Sequence, residues 1–181
     1  SDREHPCQAL ADYMTIVEHK GKDPKGLKIS YVGDGNNVAA SLMLLATKVG
    51  MDFYLATPEG YIPPNDIMKA AKQGAKENGS VLFVGESPEE AARDADVIYT
   101  DTWVSMGQED EYSRRIMIFK EYQVDEKLMS LAKKDALVMH CLPAHRGEEV
   151  TAEVLDGPQS VIYDQAENRL HAQKAILSLV L

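Results

Sequence analysis

The chain has 181 residues, enough for one compact domain that buries roughly 70% of the surface its unfolded form exposes. Its 29 acidic side chains against 19 basic ones give a net charge of -10, which would repel nucleic acid and anionic membrane surfaces and leaves small molecules or proteins as partners. The two cysteines, Cys7 and Cys141, form neither a disulfide framework nor a Cys-x-x-Cys zinc ribbon, which fits a reducing cytoplasm.

Cys7 to His19 reads as a helix with Pro6 in its first turn, where the missing N–H of proline costs nothing. Gly21, Asp23, Pro24 and Gly26 end it, and Leu27 to Val32 has the apolar, β-branched character of a buried strand. Val38 to Val49 is a helix with Ala39, Leu42, Met43 and Ala46 on one face, and Asp52 to Ala56 is the next strand. Asn65 to Asn78 is helical and stops at Gly79. Strands at Val81 to Val84 and Val97 to Thr100 flank a short helix, Pro88 to Arg93. Met117 to Tyr122 and Asp125 to Lys133 read as helices, Ala136 to Met139 as the fifth strand, Val161 to Tyr163 as a short extended piece and Glu167 to Leu181 as a closing helix. Strands interleaved with helices predict a Rossmann-like α/β fold: a doubly wound, five-stranded parallel sheet with helices on both faces, in one domain over 1–181. The N-terminal residues show no leader pattern, and Ala175 to Leu181 is too short an apolar run to span a bilayer.

Three polar turns follow strands, at the carboxyl ends where open α/β sheets bind ligands. Gly33-Asp34-Gly35-Asn36-Asn37 sits where a dinucleotide loop would, but it lacks the third glycine, and Ala56-Thr57-Pro58 after the next strand offers no ribose-binding carboxylate before Glu59; a tight turn with an asparagine cap is the other reading. Asp101-Thr102-Trp103-Val104-Ser105-Met106-Gly107 offers a carboxylate for an ammonium group and turn amides for a carboxylate, though Asp and Gly are also ordinary turn residues. His140-Cys141-Leu142-Pro143 puts a thiol at a strand end; His140, pointing to the opposite face, is a poor base for it, and a buried cysteine is the plainer alternative. His5 and Gln8 lie at a helix start, which serves either capping or the binding of anions and carbonyl oxygens. Arg169 is open between a solvated helix residue and a ligand-binding one, and surface pairing is the expectation for His145, Arg146, Glu148 and Glu149. His5, Cys7, His140 and Cys141 match no familiar ligand spacing, so neither a metal nor a cofactor is expected.

The His-Pro-Cys-Gln, Ser-Met-Gly and His-Cys-Leu-Pro motifs together resemble the ornithine carbamoyltransferase family, and the resemblance runs from His5 to near Leu181. It implies transfer of a carbamoyl group from carbamoyl phosphate to the δ-amine of L-ornithine, giving L-citrulline and phosphate. It also implies roles: His5, Gln8, Cys141, Leu142 and Arg169 contact carbamoyl phosphate, while Asn37, Asp101, Ser105 and Met106 hold ornithine, with Cys141 and Asp101 closest to the chemistry. The arginine-containing recognition segment of aspartate carbamoyltransferases is not found, nor is the Ser-Thr-Arg-Thr phosphate clamp that the family carries in its amino-terminal domain. The chain therefore reads as the ornithine-binding half alone, inactive without its other half, from a cytoplasmic enzyme of arginine metabolism that forms homotrimers or multiples of them. Two other classes stay open from the sequence: an NAD-binding module of a dehydrogenase, and a non-catalytic carbamoyltransferase-like binding domain.

Overall fold

The computed structural model describes residues 1–21, 23–104 and 109–181, leaving Ser105 and Met106 outside the described residues. Five strands form one all-parallel sheet: β1 (Lys28–Val32), β2 (Asp52–Ala56), β3 (Leu82–Gly85), β4 (Val97–Thr100) and β5 (Leu137–His140). Their spatial order is β3-β2-β1-β4-β5. The order reverses between β1 and β4, so a crevice opens above the carboxyl ends of those two strands. Register fixes the level of that rim. Val32 lies opposite Thr100, and Thr100 opposite His140, so Gly33, Asp101 and Cys141 leave the sheet side by side.

Alternation of side chains along each strand sorts the core into two faces. Ile29, Tyr31, Phe53, Tyr99 and Met139 pack with α1 (Pro6–Lys20), α2 (Asn37–Val49) and α3 (Asn65–Asn78). Val32, Ile98 and Val138 pack on the other side with α4 (Pro88–Ala92), α5 (Tyr112–Phe119), α6 (Glu126–Met129) and α7 (Ala152–Leu155). α8 (Ile162–Val180) runs along α1 and closes the sheet beside β5. The fold is thus the doubly wound parallel arrangement that the sequence predicts.

Several boundaries differ from expectation, each for a physical reason. Val161 to Tyr163 is not extended: Ser160 bridges Val138, Val161 N–H donates to the Val138 carbonyl at 3.0 Å, and α8 begins at once with Ile162. Its first turns bury Gln165 and Asn168, so the inward stripe is polar and gives no hydrophobic period. The helix read at Met117 starts at Tyr112 because its inward residue there is Arg115. The helix read over Asp125 to Lys133 shrinks to α6, since tight turns after Met129 must bring Lys133 N–H to the Ala95 carbonyl at 3.1 Å. Asn65–Asn78 matches its reading, with Ile67, Ala71 and Ala75 inward and Gly79 in the left-handed region at φ 71°.

Candidate active site

Asn36 is the hinge of the site. As N-cap of α2 its Oδ1 accepts from the Val38 and Ala39 amides at 3.0 and 3.1 Å, while its Nδ2 donates to Asp101 Oδ2 at 2.8 Å. The other Asp101 oxygen accepts from Cys141 Sγ at 2.9 Å and from the Thr102 amide at 2.8 Å. One carboxylate therefore joins three consecutive features of the rim: the turn after β1, the turn after β4 and the turn after β5. Beneath them Tyr31 and Tyr99 stack with ring centroids 5.3 Å apart; Tyr31 Oη donates to Asn36 Oδ1, and Tyr99 Oη to Asp12 Oδ2 at 3.0 Å.

The turn after β1 requires glycine at position 35 for a reason internal to the protein: a Cβ there would collide with the Tyr61 carbonyl and with Pro63. Asp34 beside it forms a buried ion pair with Arg115, whose guanidinium also donates to the Trp103 carbonyl and lies over the rings of Tyr61 and Phe119. This pair clasps the turn after β1 to the segment following β4.

Across the cleft, Arg169 on α8 donates to Gln8 Oε1 at 2.6 Å. Its Nε is buried without a partner among the described residues. His5 is the N-cap residue of α1, but its side chain makes no capping hydrogen bond; its carbonyl accepts from the Gln8 and Ala9 amides, and the imidazole faces the cleft. Burial, then the charge of Arg169, lowers the His5 pKa and favours the neutral ring. Burial, then the charge of Asp101, pushes the Cys141 thiol well above its usual range, so it is a protonated hydrogen-bond donor near neutral pH and no free thiolate.

The His140 ring is held by partners other than Cys141. Its Nδ1 accepts from the Leu142 amide at 2.9 Å, which leaves Nε2 to donate to Glu149 Oε1 at 3.2 Å. Glu149 is fully buried, which corrects the expectation that it pairs on the surface. Burial works to raise its carboxyl, but the His140 hydrogen bond and the His145 amide outweigh it and leave the pKa below the usual carboxylate value. Arg146 does pair at the surface, in a two-pronged contact with Asp156 at 2.7 and 2.9 Å.

His5, Gln8, Asn37, Asp101, Cys141, Leu142 and Arg169 all line one open cleft of about 1210 Å³. Asn37 Nδ2 donates to the Ser1 carbonyl at 2.8 Å, whereas it is Asn36 that reaches Asp101. Sequence reasoning assigns no role to Asp12, Tyr99, Arg115 or Gln165. The available signal was a polar residue on the inward face of a helix or strand, which has no generic motif. Asp101, His140 and Cys141 could in principle offer ligand atoms to a metal, as could His145, Glu148 and Glu149.

The aspartate/ornithine carbamoyltransferase Asp/Orn binding domain, as a sequence profile, matches residues 25–180. The chain belongs to the aspartate/ornithine carbamoyltransferase family. It is 60% identical over 181 residues to the anabolic ornithine carbamoyltransferase of Pyrococcus furiosus, all of this chain and 57% of that protein. The solved structure of ornithine carbamoyltransferase from that organism superposes with a TM-score of 0.94 at 59% identity, covering 99% of this chain and 57% of that one. The ornithine carbamoyltransferase of Gloeobacter violaceus gives 0.89 at 49% identity, covering 97% and 58%. The chain thus spans well under two thirds of the length of these carbamoyltransferases. The dinucleotide-binding alternative finds no support, since Gly35 is packed against protein backbone where a pyrophosphate would have to approach. A non-catalytic reading finds none either, the matched relatives being named as enzymes.

Proposed function

We propose that this chain is the ornithine-binding half of an ornithine carbamoyltransferase, which joins the δ-amine of L-ornithine to the carbonyl carbon of carbamoyl phosphate. The new C–N bond forms as the C–O bond to phosphate breaks, giving L-citrulline and inorganic phosphate. The observation that carries the reading is the contact of Cys141 and Asn36 with the two oxygens of Asp101, opposite Arg169 and Gln8 in one cleft.

The amine must reach the carbonyl carbon unprotonated, although an alkylammonium has a pKa near roughly 10.4 in water. Asp101 is the carboxylate positioned to receive its hydrogen bond, and burial in the cleft disfavours the charged amine. Cys141 orients the partnership as a donor. Arg169 and the neutral His5 ring, both lining the cleft, supply donors toward the carbamoyl oxygen as negative charge develops there. Asn37 at the start of α2 faces the α-carboxylate of ornithine, with Ser105 and Met106 as the further residues assigned to the amino acid. The remaining length of the relatives would contribute the phosphate clamp. The same reading carries a cytoplasmic setting, in which Cys7 and Cys141 stay free thiols as found here, and a homotrimer or a multiple of it. No helix among the described residues is long and apolar enough to cross a membrane.

Citrulline formation by the whole enzyme tests the activity, and its absence with both substrates present overturns it. Cys141→Ser tests the site: turnover falls at least about tenfold, a loss near 1.4 kcal/mol of barrier lowering, while the dissociation constant for carbamoyl phosphate changes far less. Unchanged turnover removes Cys141 from the chemistry.

A further inference from the structure

Asp12 takes no part in the reaction just described, yet it is fully buried at the centre of a polar network between α1 and α8. Its Oδ1 accepts from two amides, Gln8 Nε2 at 2.8 Å and Gln165 Nε2 at 2.7 Å. Its Oδ2 accepts from Tyr99 Oη. An amide side chain has a donating and an accepting end, so an obligate acceptor in its path decides which way it points. With both NH2 groups drawn to Asp12, the two carbonyl oxygens must face outward. Gln8 Oε1 meets Arg169 at 2.6 Å, and Gln165 Oε1 meets the His140 amide at 2.9 Å, one residue before Cys141.

We propose that Asp12 is a positioning residue, which orients Gln8 to hold Arg169 on one wall of the cleft and orients Gln165 to hold the end of β5 that presents Cys141 on the other. Two walls carried by elements far from α1 in sequence are thereby referred to one carboxyl group. A proton on Oδ2 would leave Oδ1 an acceptor, so the orientation of both amides survives either ionisation state. An asparagine with its oxygen toward the two glutamines and its NH2 group toward the Tyr99 oxygen preserves it too, whereas a leucine removes the shared acceptor and leaves neither amide held from behind.

The inference rests on the proposed carbamoyl transfer, so the test begins with wild-type whole enzyme forming citrulline; failure there sinks the activity and leaves the network untouched. With that established, Asp12→Leu, unlike the conservative Asp12→Asn, raises the KM for carbamoyl phosphate by about 10- to 100-fold, the range for loss of one hydrogen bond to a charged group. The KM for ornithine changes less than about twofold. In an Arg169→Ala background the same substitution adds little further to the carbamoyl phosphate KM, because the two act through one contact. A crystal structure of Asp12→Leu reads the geometry directly and needs no activity: Gln8 is expected to shift and Arg169 to be displaced. Equal losses for both substrates, additive effects with Arg169→Ala, or an unmoved Arg169 would each overturn the role. Should Asp12→Leu fail to fold, Gln165→Glu, which places a second acceptor against Asp12 and leaves Gln8 in place, is expected to lower kcat through Cys141 and to spare the carbamoyl phosphate KM; an unchanged kcat would refute the link to β5.

Discussion

Burial of Asp12 makes the stability of this fold depend on pH in a way that one substitution can isolate. Removal from water is the main cause that lifts its pKa from 3.8 to about 7, the hydrogen bonds from Gln8, Gln165 and Tyr99 opposing it. Each tenfold change in proton affinity is worth about 1.4 kcal/mol, so ionising Asp12 costs about 4 kcal/mol more in the folded protein than in the unfolded chain. Because the folded value is the higher one, the native state holds the proton more tightly, and stability is lost as pH rises from 3.8 through about 7. Between pH 5 and 8 the loss from this group is about 2.5 kcal/mol, and a domain of this size should lower its Tm by roughly 5–10 °C. Glu149 acts in the opposite sense, its depressed pKa giving stability that is lost as pH falls. The informative quantity is therefore the difference between wild type and Asp12→Asn, in which the other groups cancel. Urea unfolding at pH 5 and 8 should show that difference shifting by about 2.5 kcal/mol against wild type at the higher pH. A difference that is the same at both pH values would refute the argument, because Asp12 would then titrate alike in the folded and unfolded chains.

Two further substitutions probe the supports of the rim. Arg115→Ala leaves the Asp34 carboxylate buried without its cation and should cost about 3–5 kcal/mol in urea unfolding, most of it recovered when Asp34→Asn is added. Asn36→Ala removes both the cap of α2 and a donor to Asp101, for an expected loss of about 2–3 kcal/mol; Asn36→Asp keeps the cap, should lose less than half as much stability, and should still impair ornithine binding by setting a carboxylate against Asp101, as calorimetry with the whole enzyme would show.

The sheet was legible because its strands are short apolar runs set off by glycine, proline and asparagine, and because α2 and α3 bury apolar stripes. α8 was half hidden for the converse reason. Its inward face meets α1 through Gln165 and Asn168, which donate to Asp12 and Thr15 at 2.7 and 3.0 Å, and a polar seam between helices looks in sequence like two solvated faces. Glu149 was misplaced by the same blindness, since a carboxylate reads as exposed until its partner is known, and His140 becomes that partner only through the turn between them. In the site, the residues at strand ends could be named because topology brings such ends together. The choice between neighbours could not: Asn36 caps α2 with extended backbone while Asn37 opens its first turn, and only the backbone tells which one meets Asp101.

The level at which Gly33, Asp101 and Cys141 emerge is set by ladder hydrogen bonds between peptide groups, with strands about 4.8 Å apart. The spacing of these three residues is therefore a lattice constant of the backbone. Side chains can drift around it while the ruler that carries the proposed site keeps its graduations.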